Sequence, residues 1–296
     1  MSGEPIHFTI IVPTLDRERQ LGELLEALVR QRYPREAFDV IVVDDGSARP
    51  PSGAIAAFED RLHLTLLRAG GKGPAAARNR GAAVARGEVL AFTDDDCTPE
   101  PDWLAVLDAA ARRSPGAMLA GRRRNQLFAN PYSAASQTIG SVATRHFNTA
   151  SEVGFVSSSN LAVPAERFRE IGGFDEAFRT AEDREIRDRW TRRGWSVVYE
   201  PRAVVNHAHE MGLASFLRQQ VGFGRGAYRF HRRAGIEGGS LRPDPGFYAR
   251  LLAQPFRDRG WVGGLPIASL VVLGELANAG GFCWEAGRRT ARQVDR

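Results

Sequence analysis

Cysteine, lysine and long apolar runs are what this 296-residue sequence has least of, and each shortage excludes something. Its two cysteines, Cys97 and Cys283, lie far apart with no Cys-x-x-Cys or Cys/His spacing. Neither a disulfide framework nor a zinc site is therefore expected, and a reducing cytoplasm is the simplest setting. A strand-like stretch at 7–12 comes too early to leave room for the charged and apolar regions of a signal peptide. The most apolar run, Leu265 to Ala277, is shorter than a membrane-spanning helix needs and contains Glu275. Lys72 is the only lysine, set in Gly70-Gly71-Lys72-Gly73, a glycine-rich loop without the Walker A spacing. The arginines are scattered and no stacking motif interleaves them, so nucleic acid is not an expected partner.

What remains is ordinary in bulk and unusual in placement. An apolar fraction of 43% and a charged fraction of 25% are those of a globular protein. The net charge of +5 is almost wholly arginine, a side chain that binds phosphate in a planar, bidentate way and so fits nucleotides or anionic lipid. A high-GC codon bias accounts for the same excess.

Short β-branched runs alternate with helical patterns through the first hundred residues, which predicts βαβ units on a mostly parallel sheet. The runs are Phe8 to Val12, Asp39 to Val43, Leu62 to Leu67 and Glu88 to Thr93. Between the first two, Leu21, Leu24, Leu25, Leu28 and Val29 fall at helical spacing within Gln20 to Gln31. Another helical stretch, Pro74 to Ala85, is rich in small residues and should pack closely on the sheet. Later come an extended stretch from Gly154 to Pro164, a charged helix from Ala181 to Arg193, a helix from Ser215 to Arg232, and a Gly/Pro-rich linker from Gly235 to Gly246.

In open α/β sheets ligands bind beyond the carboxyl ends of the strands. Those ends read Pro13-Thr14, Asp44-Asp45-Gly46-Ser47 and Thr93-Asp94-Asp95-Asp96, while the third strand leads to the glycine-rich loop and then Arg78. Three adjacent carboxylates repel one another unless a cation intervenes, and oxygen ligands suit Mg²⁺ or Mn²⁺. A solvated acidic turn or a helix cap accounts for the same residues. Asp-Asp-Gly-Ser is likewise either a turn or a set of acceptors for a nucleobase or ribose.

In order and spacing, Pro13-Thr14, Asp44 to Ser47, Ala77-Arg78-Asn79, Asp94 to Asp96, Gly172-Gly173-Phe174-Asp175-Glu176 and Glu182-Asp183 resemble glycosyltransferase family 2, the inverting GT-A superfamily. The resemblance covers roughly residues 6–230. It implies a GT-A fold and transfer of one sugar from a nucleotide diphosphate donor (UDP, GDP or dTDP) to an acceptor hydroxyl on a glycan or lipid carrier. It also implies roles: Pro13, Thr14, Asp44 or Asp45, Lys72, Arg78, Asp94 and Asp95 at the nucleotide sugar, and Asp94 and Asp96 as the D-x-D element, with Asp96 the direct ligand of Mn²⁺ or Mg²⁺. His207 or His209 would join the metal or diphosphate, Asp183 would be the general base beside Glu182, and Ser157 to Asn160, with Ser159, Asn160 and His209 foremost, would border the acceptor. Two departures stand out. The family's asparagine-containing loop before the arginine is replaced by Gly71-Lys72-Gly73, and the Gln-x-x-Arg-Trp motif of processive synthases is missing, since Arg189-Trp190 lies too near Asp183. Single-sugar addition is expected.

The expected division is a GT-A domain over 1–232 and a helical extension over 233–296. The apolar run, flanked by Arg250, Arg257, Arg259, Arg288, Arg289 and Arg292, reads as a monotopic contact on the inner face of the cell membrane, a packing helix, or a homodimer contact. The rival functions are a sugar nucleotidyltransferase, which should carry a glycine-rich loop with a basic residue very near its first strand where Thr14-Leu15-Asp16-Arg17 has no such glycines, and a non-catalytic, membrane-associated sugar-binding protein.

Overall fold

The computed structural model describes residues 4–149, 152–233 and 244–294, with side chains as far as Arg288. Most of the expected linker after Gly235, and the side chains of Arg289 and Arg292, lie outside the described residues.

Along the chain run β1 (Phe8–Thr14), α1 (Glu18–Val29), a 3-10 turn (Arg35–Ala37), β2 (Phe38–Asp44), α2 (Ser52–Ala56), β3 (Leu64–Arg68), α3 (Pro74–Val84), β4 (Val89–Thr93), β5 (Cys97–Pro99) and α4 (Trp103–Arg113). They are followed by β6 (Met118–Asn125), α5 (Pro131–Phe147), β7 (Asn160–Pro164), α6 (Ala165–Glu170), α7 (Glu182–Arg192), β8 (Val197–His207), α8 (Leu213–Arg233) and α9 (Pro245–Val294). The chain divides into two compact units, Met1–Arg124 with Val156–Ala208 and Asn125–Phe155 with His209–Arg296.

The first unit is built on an eight-stranded sheet ordered β3-β2-β1-β4-β7-β6-β8-β5. Strands β3, β2, β1 and β4 pair in parallel, and these are the four expected strands, each shifted by no more than two residues at either end. The sheet is mixed, because β7 continues it antiparallel to β4, β6 is antiparallel to β7, and β5 is antiparallel to β8. The parallel strands are apolar on both faces and read as continuous runs, as a sheet covered on both sides requires. On one face Phe8, Ile10, Val12, Phe38, Val40 and Val42 meet Leu21, Leu24, Leu25 and Leu28 of α1 and Trp103, Leu104 and Leu107 of α4. Each α1 leucine is wholly buried, which is worth about 1.5–3 kcal/mol apiece. On α3, Ala75, Ala76, Ala77 and Ala82 are buried, as the small side chains foretold.

Strand β8 is the longest and was not legible, because Glu200-Pro201-Arg202 interrupts its alternation. Glu200 is nevertheless buried, its carboxylate taken up by Arg113 at 2.6 Å and Arg202 at 3.0 Å.

The second unit joins α5, α8 and α9 around Ala134, Ala135, Val142, Met211, Phe216, Leu251, Ile267 and Val271. It therefore takes in more than the extension expected after residue 232. Helices α8 and α9 approach backbone to backbone at two glycines. A Cβ on Gly224 would fall 1.8 Å from the Asn278 carbonyl oxygen, and one on Gly281 would fall 2.2 Å from that of Val221. Helix α9 bends at Gly260, whose φ of 66° and ψ of −175° are not helical. The run Leu265 to Ala277 is thus part of a longer segment that is long and apolar enough to cross a membrane by length and composition, with 28% of its most apolar window buried. Trp261, Val262, Leu265, Leu276 and Trp284 are all exposed on it.

Candidate functional site

The loops after β1, β2 and β4 converge because each tethers the next. After β1, Asp16 takes a φ of 53°, a left-handed conformation that aspartate tolerates. Its N–H donates to Ser47 Oγ at 2.8 Å and its carboxylate accepts from the Ala48 N–H at 2.9 Å. After β2, Asp44 is wholly buried and accepts from the Ser47 N–H, with Arg68 Nε at 3.3 Å on its other oxygen. Asp45 accepts from the Lys72 and Gly73 N–H groups at 3.1 and 2.8 Å, so its carboxylate shapes the glycine-rich loop. The Lys72 side chain is exposed.

The three aspartates after β4 separate into distinct environments. Asp94, the most exposed of them, accepts from Arg78 Nη2 at 2.6 Å. Asp95 accepts from Thr14 Oγ1 at 2.8 Å and from Arg17 Nη1 at 3.1 Å. Asp96 also faces Arg17 Nη1, at 3.0 Å, and its other oxygen lies 3.1 Å from His207 Nε2. Burial pushes the Asp95 carboxyl up to about 6; Arg17 pulls against this, while Asp96 and Asp94 reinforce it. Burial also works against the charge on Arg17, yet Asp95 and Asp96 outweigh it and hold the guanidinium above its usual value.

Histidine 207 reaches this cluster because β8 pairs antiparallel with β5, placing Cys97 opposite His207, and the Ala208 N–H donates to the Asp96 carbonyl at 2.8 Å. A buried carboxylate and an imidazole converging at 3.1 Å form a mixed oxygen and nitrogen donor set that fits a divalent cation. His209 follows two residues on and opens the second unit.

Arg78 is 3% exposed and does not open onto the surface. It donates Nη2 to Asp94 and Nη1 to Glu182 at 3.0 Å, with its guanidinium carbon 5.8 Å from the centre of the Phe174 ring. Burial opposes its charge, and Asp94 and Glu182 more than compensate. The motif around Phe174 is a clamp for this arginine. Asn79 accepts from the Phe174 N–H at 2.9 Å and donates to the Phe174 carbonyl at 2.8 Å, while Arg189 donates to the Ile171 and Gly173 carbonyls. Gly173 has a φ of 69°, and a Cβ there would lie 2.6 Å from Asn79 Oδ1, so only glycine fits.

Helix α7 opens on Glu182 and Asp183 after Ala181, whose φ of 67° costs about 1–2 kcal/mol for a residue with a Cβ. No side chain caps this helix, and Glu182 instead accepts from Arg78 and, at 3.2 Å, from Ser158 Oγ. Capping alone therefore does not account for the acidic pair. Burial, with the Glu182 charge adding to it, raises the Asp183 carboxyl to about 6.

Of the residues expected at the acceptor, Ser158 touches this machinery and Asn160 serves elsewhere. Asn160 is 1% exposed, donates to the Arg122 and Ala203 carbonyls at 3.0 and 2.9 Å, and accepts from Trp103 Nε1 at 2.9 Å. It is a strut across the sheet. Ser159 is buried, with its hydroxyl 3.0 Å from that of Ser157. The largest omission from the sequence reading is Arg17, which bridges two of the aspartates. Its place three residues beyond Thr14, at the end of the first strand, was the available signal.

A family model described as Glycosyl transferase family 2 matches residues 9–172. Among curated proteins, the pre-mycofactocin glycosyltransferase of Mycobacterium tuberculosis (strain ATCC 25618 / H37Rv) is 30% identical over 229 residues, covering 74% of this chain and 46% of that protein. Glycosyltransferase AglE of Haloferax volcanii is 26% identical over 222 residues, covering 74% of this chain and 72% of that protein. The chain spans about half the length of the first of these relatives. Two solved structures share the fold. The mannosyltransferase PcManGT from Pyrobaculum calidifontis, in complex with GDP-Man and Mn2+, has a TM-score of 0.62 at 22% identity and covers 98% of this chain and 80% of its own. S. aureus TarS 1-349 in complex with UDP has a TM-score of 0.55 at 17% identity, covering 97% and 92%.

Proposed function

The chain belongs to glycosyl transferase family 2, and from that premise we propose that it is a divalent-metal-dependent, inverting glycosyltransferase. In this reading it moves one sugar from a nucleotide diphosphate to an acceptor hydroxyl in cell-surface glycan or glycolipid synthesis. A nucleotidyltransferase falls away with the family assignment. The supporting observation is the Asp94–Arg78–Glu182 relay, which links the aspartates after β4 to the acidic pair on α7 through a single buried guanidinium.

Asp183 is the general base. A carboxyl raised to about 6 is ionised at neutral pH yet more basic than an ordinary aspartate, as proton abstraction from a hydroxyl requires. The acceptor oxygen attacks the anomeric carbon as its proton passes to Asp183, the bond to the diphosphate breaks on the opposite face, and the configuration inverts. Glu182 does not take the proton, because Arg78 and Ser158 hold its carboxylate. Half-buried Arg17 and exposed Lys72 supply positive charge to the leaving diphosphate, while buried Arg78 positions Asp94 and Glu182. Asp44 and Asp45 act on the nucleotide through the loops they shape, with Thr14 fixing Asp95.

Asp96 and His207 would hold a Mn²⁺ or Mg²⁺ ion. Such an ion supplies positive charge to the departing diphosphate. The donors named for the solved relatives, GDP-Man for PcManGT and UDP for TarS, frame the choice of nucleotide. The exposed apolar side chains of α9 support peripheral attachment to the inner membrane face, with residues 233–296 as the attaching extension.

Calorimetric titration of UDP, GDP and dTDP with Mn²⁺, Mg²⁺ or EDTA, on wild type and Asp96→Asn, tests the reading. Metal-dependent binding of one nucleotide, lost in the variant, is the expected result. Folded protein that binds none of the three sinks it.

A further inference from the structure

The second unit holds a cavity of about 450 Å³ bordered by Val142, Arg145, His146, Arg250, Gln254 and Arg257. None of the aspartates borders it, and the transfer chemistry above makes no use of it. Two helix faces form it. Arg145 and Val142 are one turn apart on α5, while Arg250, Gln254 and Arg257 follow one another on successive turns of α9 before the bend at Gly260.

The charge on this cavity is unbalanced. Among the described residues no carboxylate lies within 4.0 Å of Arg145, Arg250 or Arg257, although most arginines of the first unit are paired. The carboxylates that do touch the lining are engaged otherwise. Asp244 lies 2.7 Å from His146 and also accepts from the Phe247 N–H, and Asp258 accepts from Gln254 at 2.7 Å. Three like charges around one concavity repel one another, and an anion placed between them relieves that repulsion. The guanidinium fork matches phosphate in particular, taking two oxygens at once.

One of the bordering side chains, His146, belongs to an aromatic group. His146 packs on Phe147 and Phe247 with ring centres 4.8 and 5.5 Å apart, and Phe247 packs on Tyr248 at 5.3 Å. Phe147 and Tyr248 are 39% and 37% exposed. A purely ionic site for a small anion has no need of exposed aromatic rings beside it, whereas a phosphate ester brings a substituent that can lie against them.

We propose that Arg145, His146, Arg250 and Arg257 form a binding site for the phosphate group of a phosphate ester, with the Phe147–Phe247–Tyr248 face receiving its organic substituent. The ester is either the headgroup of an anionic phospholipid or a soluble phosphate compound, and the two sources are separable.

The test is site-resolved arginine modification of the full chain by phenylglyoxal, read by peptide mass. It is run alone, with inorganic phosphate, with phosphatidylglycerol vesicles and with phosphatidylcholine vesicles. Joint protection of Arg145, Arg250 and Arg257 by phosphate and by the phosphatidylglycerol vesicles supports a lipid headgroup site, and protection by phosphate alone supports a soluble ester. Equal protection of exposed Arg35 and Arg86 overturns the proposal, as does no protection at all. Replacing the three arginines together by glutamine should weaken vesicle or phosphate binding at least about tenfold, given the worth of charge-assisted hydrogen bonds. The same replacement of Arg30, Arg35 and Arg86 should not, and an equal loss there overturns the site. Nucleotide binding, measured on the same variants, reports on the first unit and separates a failure of this site from a failure of the transferase reading.

Discussion

The two units differ in where they leave charge unpaired and apolar surface exposed. In the first, carboxylates and a guanidinium are buried deeply and each is answered: Arg78 by Asp94 and Glu182, Asp95 by Thr14 and Arg17, Glu200 by Arg113 and Arg202. In the second, one buried carboxylate, Glu285, is answered by Arg225 and Arg229, but three arginines are left unanswered around a cavity, and large apolar side chains such as Trp261 and Val262 stand 81% and 92% exposed. Buried charge is expensive unless paired, so the first unit keeps it where a reaction needs fields of fixed direction. Exposed apolar surface beside free cations is the complementary pattern, that of a surface completed by something else.

Breaking the first pattern should cost most. Arg78→Met leaves Asp94 and Glu182 facing one another without a cation, and removing one member of a buried charge set costs about 3–5 kcal/mol. The midpoint of chemical denaturation should fall accordingly and transfer should vanish; an unchanged midpoint would mean that Arg78 is not the hub of the unit. Asp183→Asn should lower kcat by about 10²–10⁴-fold, the usual worth of a general base. In the wild type, kcat/KM should rise with pH through about 6, because the base must be ionised.

The same variant should be more stable than wild type at pH 7. The folded-state carboxyl titrates above its ordinary 3.8, so the folded protein binds that proton more tightly than the unfolded chain. The cost of charging Asp183 is fully present above about pH 6 and is relieved as pH falls below that value. A melting curve on wild type and variant at pH 7 and pH 4.5 should show a gain at the first pH that shrinks at the second.

The packing of the second unit should respond to bulk. Gly281→Val drives a side chain into the Val221 carbonyl, and overpacking of this kind costs about 1–3 kcal/mol. Nucleotide affinity, which the proposed function assigns to the first unit, should stay at the wild-type value in calorimetry, and a parallel loss would argue that the two units fold as one. The smallest effect is expected from Trp261→Ser, whose side chain packs on Phe256 yet is mostly in solvent. Its stability should change by less than about 0.5 kcal/mol, while sedimentation with phosphatidylglycerol vesicles should drop.

Reading the sequence served the parallel half of the first unit well. Leucines at helical spacing and β-branched runs ending in Pro-Thr, Asp-Asp-Gly-Ser and three aspartates carry their geometry in local order, since the side-chain period fixes which face is buried and the strand end fixes where the ligand edge lies. It served the antiparallel half poorly. Strand β8 hides behind Glu200-Pro201-Arg202, whose burial depends on Arg113 from a distant helix, and helix α9 looked too short because its apolar run is only the middle of a longer helix.

The site shows the same boundary. By itself the sequence determined which residue types meet at the sheet edge, the acidic pair on α7 and the family to which they belong, because these follow from motif order along the chain. Only the tertiary structure decided that Arg78 is a buried link between Asp94 and Glu182, that Arg17 bridges Asp95 and Asp96, that His207 reaches Asp96 while Asn160 turns inward, and that three arginines of the second unit surround one cavity. The contacts among them join residues from 16 to more than a hundred positions apart, where burial sets the worth of each charge, and no local pattern encodes that burial.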